Sequence, residues 1–68
     1  MNTILLDFEK LLATIKNPKN NKNHLLLINK MVDNFDERYA EKYFMQTRIL
    51  IIYMKKLIAE NLNKLQSG

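Results

Sequence analysis

Cysteine and tryptophan are absent from this 68-residue chain, and glycine and proline occur once each. Without thiols, neither a disulfide framework nor a thiolate zinc site can supplement a small core. The single glycine, at position 68, excludes a glycine-rich phosphate loop, and so little glycine and proline leaves almost no turn chemistry for β-hairpins. There is one histidine, His24, so any catalytic triad would depend on that one imidazole. Long apolar runs are missing too. The longest, from Ile49 to Met54, falls far short of the ~20 residues that cross a bilayer. The N-terminus has no basic start and reaches Asp7 within a turn of its first apolar residues, unlike a signal peptide. These absences lead us to expect a cytoplasmic protein that is not an enzyme, with no cofactor and no metal.

What is present favours helices. Hydrophobic residues make up 47% of the chain against 26% charged, a composition that folds rather than staying disordered. Leu, Ile, Lys, Asn and Glu dominate, so the expected fold class is all-α, a single helical domain over residues 1–68. From Thr3 to Lys16, the residues Ile4, Leu5, Phe8, Leu11, Leu12 and Ile15 share one side of a helix. Thr3 or Asn2 would cap it, Asp7 would face its positive end, and Pro18 would stop it at Asn17. The segment 17–23 is polar and asparagine-rich, with nothing to anchor it to a core, and Asn21 or Asn23 would cap the helix that follows. That second helix, about His24 to Phe35, places Leu25, Ile28, Met31, Val32 and Phe35 on one face, with Leu26 as the outlier. Asp33-Asn34-Phe35-Asp36 reads as a turn, with Asn34 or Asp36 capping a third helix.

The third helix is the longest, about Glu37 to Leu65, and it has two apolar faces. Its main face gathers Tyr39, Ala40, Tyr43, Phe44, Leu50, Ile51, Met54, Leu57, Ile58, Leu62 and Leu65, interrupted by Thr47 and Asn61. Opposite lies a shorter stripe of Met45, Ile49, Ile52 and Tyr53, bordered by Arg48 and Lys56. The two short helices would line the main face end to end, leaving the stripe uncovered. A chain this short buries a smaller fraction of its surface than larger domains do, so a second greasy face left in water is a poor solution. The expected assembly is therefore a helical-bundle homodimer joined through the third helix. The alternative is a monomeric bundle in which the third helix lies between the other two.

The expected function is regulatory or accessory, through helix-mediated contact with another protein. Met45, Ile49, Ile52 and Tyr53 would form the interface, with Arg48 and Lys56 on its rim. Methionine and isoleucine give an adaptable apolar surface, while tyrosine and arginine are enriched at interface anchors.

Charge supplies the first alternative. The net charge of +4 is polarised: residues 1–30 sum to +3, residues 31–47 to −2 and residues 48–68 to +3. Lys16, Lys19 and Lys22 decorate the asparagine-rich connection, where they could contact nucleic-acid phosphates. Against this, no helix presents several base-reading Arg, Asn or Gln side chains on one face. A second alternative is a membrane-surface or immunity-type helical protein, with Lys55, Lys56 and Lys64 attracting anionic lipid. Small basic helical bundles include the bacteriocin immunity proteins, but no residue motif here carries that resemblance. The acids Asp33, Asp36, Glu37 and Glu41 do not have the spacing of a calcium loop and read as charges complementing a helix N-terminus. His24 reads as a boundary residue near a helix start, with a proton-responsive contact as its functional alternative.

Overall fold

A computed structural model describes residues 3–67. Among them are three helices, α1 (Thr3–Ile15), α2 (Lys22–Tyr39) and α3 (Phe44–Ser67), and no strand. Each helix packs against both of the others. The order of contacts fixes their directions. Phe8 and Ile15 of α1 run alongside α3 in the same sense: Phe8 meets Tyr53 with ring centroids 6.3 Å apart, and the Asn61 amide donates to the Ile15 carbonyl at 3.2 Å. α2 runs against both, since Tyr39 near its end reaches Asp7 near the start of α1, and Asp33 pairs with Lys55 at 2.8 Å. The short helices therefore lie side by side along α3, not end to end as the sequence suggested.

One continuous core results. It consists of Ile4, Leu11 and Ile15 from α1, Leu25, Ile28, Val32, Phe35 and Tyr39 from α2, and Ile51, Met54 and Ile58 from α3, with Phe8, Leu12, Tyr43, Leu50, Leu57 and Leu62 partly buried around it. Thr47, read from sequence as an interruption of the α3 face, is fully buried within it. Asn61, the other interruption, is half-buried and spends its amide on the last carbonyl of α1. Several residues assigned to core faces are instead exposed: Leu5, Met31, Phe44 and Leu65.

The boundary between α2 and α3 differs most from the sequence reading. Asp33 to Asp36 is no turn: α2 continues through it to Tyr39, because Leu25, Ile28, Val32, Phe35 and Tyr39 repeat at alternating three- and four-residue steps and all are buried. The chain turns at residues 40–43, without glycine or proline. Ala40 itself is in the right-handed helical region, at φ −61° and ψ −36°. Backbone bonds from Ala40 N–H to the Asp36 carbonyl (2.9 Å), from Tyr43 to Tyr39 (2.8 Å) and from Thr47 to Tyr43 (2.8 Å) carry helical pairing through the joint. Tyr39 and Ala40 thus belong to the end of α2 and its joint, and the acids Asp33, Asp36 and Glu37 sit in the C-terminal half of α2 rather than at a helix start.

The α1–α2 connection is built on side chains. The Asn20 amide donates to the carbonyls of Thr14 (2.7 Å) and Ile15 (3.2 Å), which α1 leaves open at its end. The Asn17 side chain accepts from the Lys19 N–H at 2.9 Å. Asn21 caps α2: its side chain accepts from the His24 N–H at 2.8 Å, while His24 Nδ1 accepts from the Asn21 N–H at 3.4 Å. The connection expected to hang free is a chain of asparagine caps, and His24 is an exposed member of one of them. Of the caps named for α1, Asn2 lies outside the described residues.

Candidate interaction surface

Through the middle of α3 the two faces differ in burial. Met54 is 0% and Ile58 3% exposed on the core side, whereas Met45 is 72%, Ile49 65%, Ile52 61% and Tyr53 44% exposed on the other. Residues 45, 49, 52 and 56 follow four-, three- and four-residue steps, the spacing of a straight seam along one helix. Arg48 and Lys56 are exposed beside it, Arg48 on the flank facing α2 and Tyr53 on the flank facing α1. All six residues singled out from the sequence therefore lie on one side of one helix.

Folding adds a feature that the sequence did not reveal. Because α1 runs parallel to α3, Leu5 (49% exposed) comes to lie beside the stripe. Leu5, Gln46, Ile49 and Leu50 enclose a mainly apolar hollow of about 210 Å³ on the α1 flank. Leu5 had been assigned to the core by its periodicity within α1. No local pattern could place it here, since the hollow depends on how two helices align.

The basic residues occupy a different place. Lys16, Lys19 and Lys22 are exposed at the end of the bundle formed by the α1–α2 connection, and Lys64 reaches the same end from α3. Lys55 is not free: its ammonium donates to Asn29 and Asp33, each at 2.8 Å. At the other end, Asp7, Asp36, Glu37 and Glu41 outnumber Arg38, Lys42 and Arg48 by one. The bundle is polarised along its long axis, lysine-rich at one end and acid-rich at the other.

Asp7 links α1 to α2 through its carboxylate. The Tyr39 hydroxyl donates to its carboxylate, and the Arg38 guanidinium lies 3.3 Å from the same oxygen; these hold its carboxyl below the ordinary aspartate range, the tyrosine bond contributing most. The sequence had assigned Asp7 to the dipole of its own helix, yet its role is to tie α1 to α2. A lowered pKa in the folded state means that this link is fully present above the ordinary carboxylate range and is lost only as pH falls through the lowered value. A groove of about 320 Å³ opens next to this cluster between α1 and α2, with Leu11, Met31 and Phe35 in its lining. It is at the small end of the range for ligand sites. Among the described residues, no three histidines or carboxylates stand close enough to hold a metal ion, and no helix is long and apolar enough to cross a membrane.

Compared with protein-family models, with characterised proteins and with solved structures, the chain matches none.

Proposed function

We propose that this chain is a small non-enzymatic regulatory or accessory protein that works by helix-mediated contact, associating with a second copy of itself through the outer face of α3. The observation that carries this reading is the exposure of Ile49 and Ile52, 65% and 61%, in the middle of a helix whose opposite face is already buried. No other described part of the chain covers them. An apolar seam rimmed by Arg48, Tyr53 and Lys56 has the composition of an interface core with a polar edge.

The shape supports the same reading. The accessible surface is 5126 Å², whereas a compact monomer of 8.1 kDa is expected to expose about 4,500 Å². The radius of gyration is 12.2 Å against about 11 Å for a compact chain of this length. Sedimentation of the unmodified protein tests the proposal: a dimeric mass that reverts to monomer in Ile49→Asp is the expected result. A monomeric mass at high concentration would remove it.

The nucleic-acid reading keeps one supporting observation, the exposed lysines Lys16, Lys19, Lys22 and Lys64 at one end. It loses one contact, because the Asn20 amide nitrogen is already donated to the Thr14 and Ile15 carbonyls. The membrane-surface reading is weakened in the same way by the engagement of Lys55 with Asn29 and Asp33.

A further inference from the structure

We infer that the second copy docks antiparallel across α3, about a two-fold axis between Ile49 and Ile52, with Tyr53 of each chain seated in the apolar hollow of the other. The inference rests on the self-association proposed above and gives it a direction and a register.

Three observations select this arrangement. The first is the fit of knob to hole. When two helices pair antiparallel about a two-fold axis, each flank meets the same flank of its partner. Tyr53 and the hollow lined by Leu5, Gln46, Ile49 and Leu50 lie on the same flank, the one facing α1. With Ile49 set against the partner's Ile52, the axial height of Tyr53 falls between those of the partner's Gln46 and the partner's Leu50, over the hollow. Parallel pairing would bring opposite flanks together and turn Tyr53 toward the partner's Arg48, leaving the hollow uncovered. A half-exposed tyrosine beside an apolar recess is the kind of pair that anchors interfaces.

The second observation concerns Lys56, which continues the seam one step beyond Ile52. Parallel pairing places it directly against the partner's Lys56, two ammonium groups in a contact that excludes water. Antiparallel pairing places it against the partner's Met45, whose thioether can pack on the lysine stem while the ammonium reaches solvent. On the other flank, the same register brings Arg48 close in height to the Lys55–Asp33 pair of the partner, where the Asp33 side chain is 58% exposed.

The third is the charge along the bundle. Antiparallel copies keep the two lysine-rich ends apart and point each toward the joint of the other chain, where Glu37 and Glu41 stand, while bringing Glu41 level with the partner's Glu60. Parallel copies would set Lys16, Lys19, Lys22 and Lys64 beside their equivalents. At physiological salt the Debye length is about 8 Å, so charges brought side by side in a dimer are still felt.

The natural chain has no cysteine, so single thiols can be introduced at exposed seam positions without competing pairs. In the antiparallel register, Met45 lies about 16 Å along the axis from the partner's Met45, beyond the reach of a disulfide. The same holds for Lys56. Met45→Cys and Lys56→Cys are prepared separately and mixed, then treated with mild oxidant or a short thiol-to-thiol linker. The expected result is covalent dimer in the mixture and little in either variant alone. Self-linking of Met45→Cys alone would overturn the antiparallel register while leaving self-association standing. A dimer by sedimentation that links in no combination would equally overturn the register. A monomer by sedimentation removes the underlying reading instead. As an independent arm, Tyr53→Ala is expected to raise the dimer dissociation constant roughly tenfold or more, and an unchanged constant would refute the seating of Tyr53.

Discussion

Both faces of α3 carry apolar residues, and only one of them is buried among the described residues. Thr47, Ile51, Met54 and Ile58 point into the bundle and are buried, while Met45, Ile49 and Ile52 project from the other side of the same turns. Composition does not separate them: isoleucine and methionine occur on both. What separates them is whether α1 and α2 lie against that side. The comparison shows that an apolar residue on a helix states a demand for cover without stating who supplies it.

Substitutions that act differently on the two faces sharpen this contrast, and the largest effect belongs to the inner one. Met54→Ala removes a side chain that is 0% exposed and should cost about 2–5 kcal/mol. Denaturant titration of that variant should show the loss even at protein concentrations where only monomer is present. Thr47→Val probes the inner face more finely. The Thr47 hydroxyl is buried and has no hydrogen-bond partner among the described residues. Replacing it with a methyl of similar shape should stabilise the fold by about 1 kcal/mol, read as a higher thermal midpoint. The smallest effect is expected on the outer face in dilute solution. There Ile52→Asp should change monomer stability by no more than about 0.5 kcal/mol, yet abolish the rise of the thermal midpoint with protein concentration that a dimer produces. Should Ile52→Asp cost as much as Met54→Ala at high dilution, the two faces would not differ in the way described.

A second contrast, between the two connections, invites a test of intermediate size. The α1–α2 connection is held by side-chain amides, and the α2–α3 joint by backbone bonds alone among those described. Asn21→Ala removes a helix cap and should destabilise the protein by about 1 kcal/mol, whereas Lys42→Ala in the joint should be close to neutral. Paired chemical denaturation curves would show the difference.

The same contrasts explain which parts of the fold were legible in the sequence. Three helices, the amphipathic run of α1 and the outer stripe of α3 could be read from the sequence, because each is written in the spacing of apolar residues along one element. The α2–α3 boundary could not. Asp33-Asn34-Phe35-Asp36 contains residues that favour turns, but Phe35 and Tyr39 extend the buried repeat of α2 and outweigh them. The actual joint, Ala40 to Tyr43, has none of the residues that mark turns, and no position in it takes the positive φ that would call for them. Likewise the asparagine caps hold the α1–α2 connection through polar contacts, which leave no trace in hydrophobic periodicity. The hollow beside Ile49 was illegible for a third reason: Leu5 and Gln46 are forty-one positions apart in sequence, and only the packing of α1 on α3 unites them.

No described residue has a positive φ angle, so the hairpin between α2 and α3 reverses direction without asking any position for glycine. Its spelling is consequently permissive. Most L-amino acids other than proline fit at positions 41 and 42, and a random library at these two sites should yield mostly folded members. The vocabulary of this small protein is constrained along its helix sides, and its corners are close to free verse.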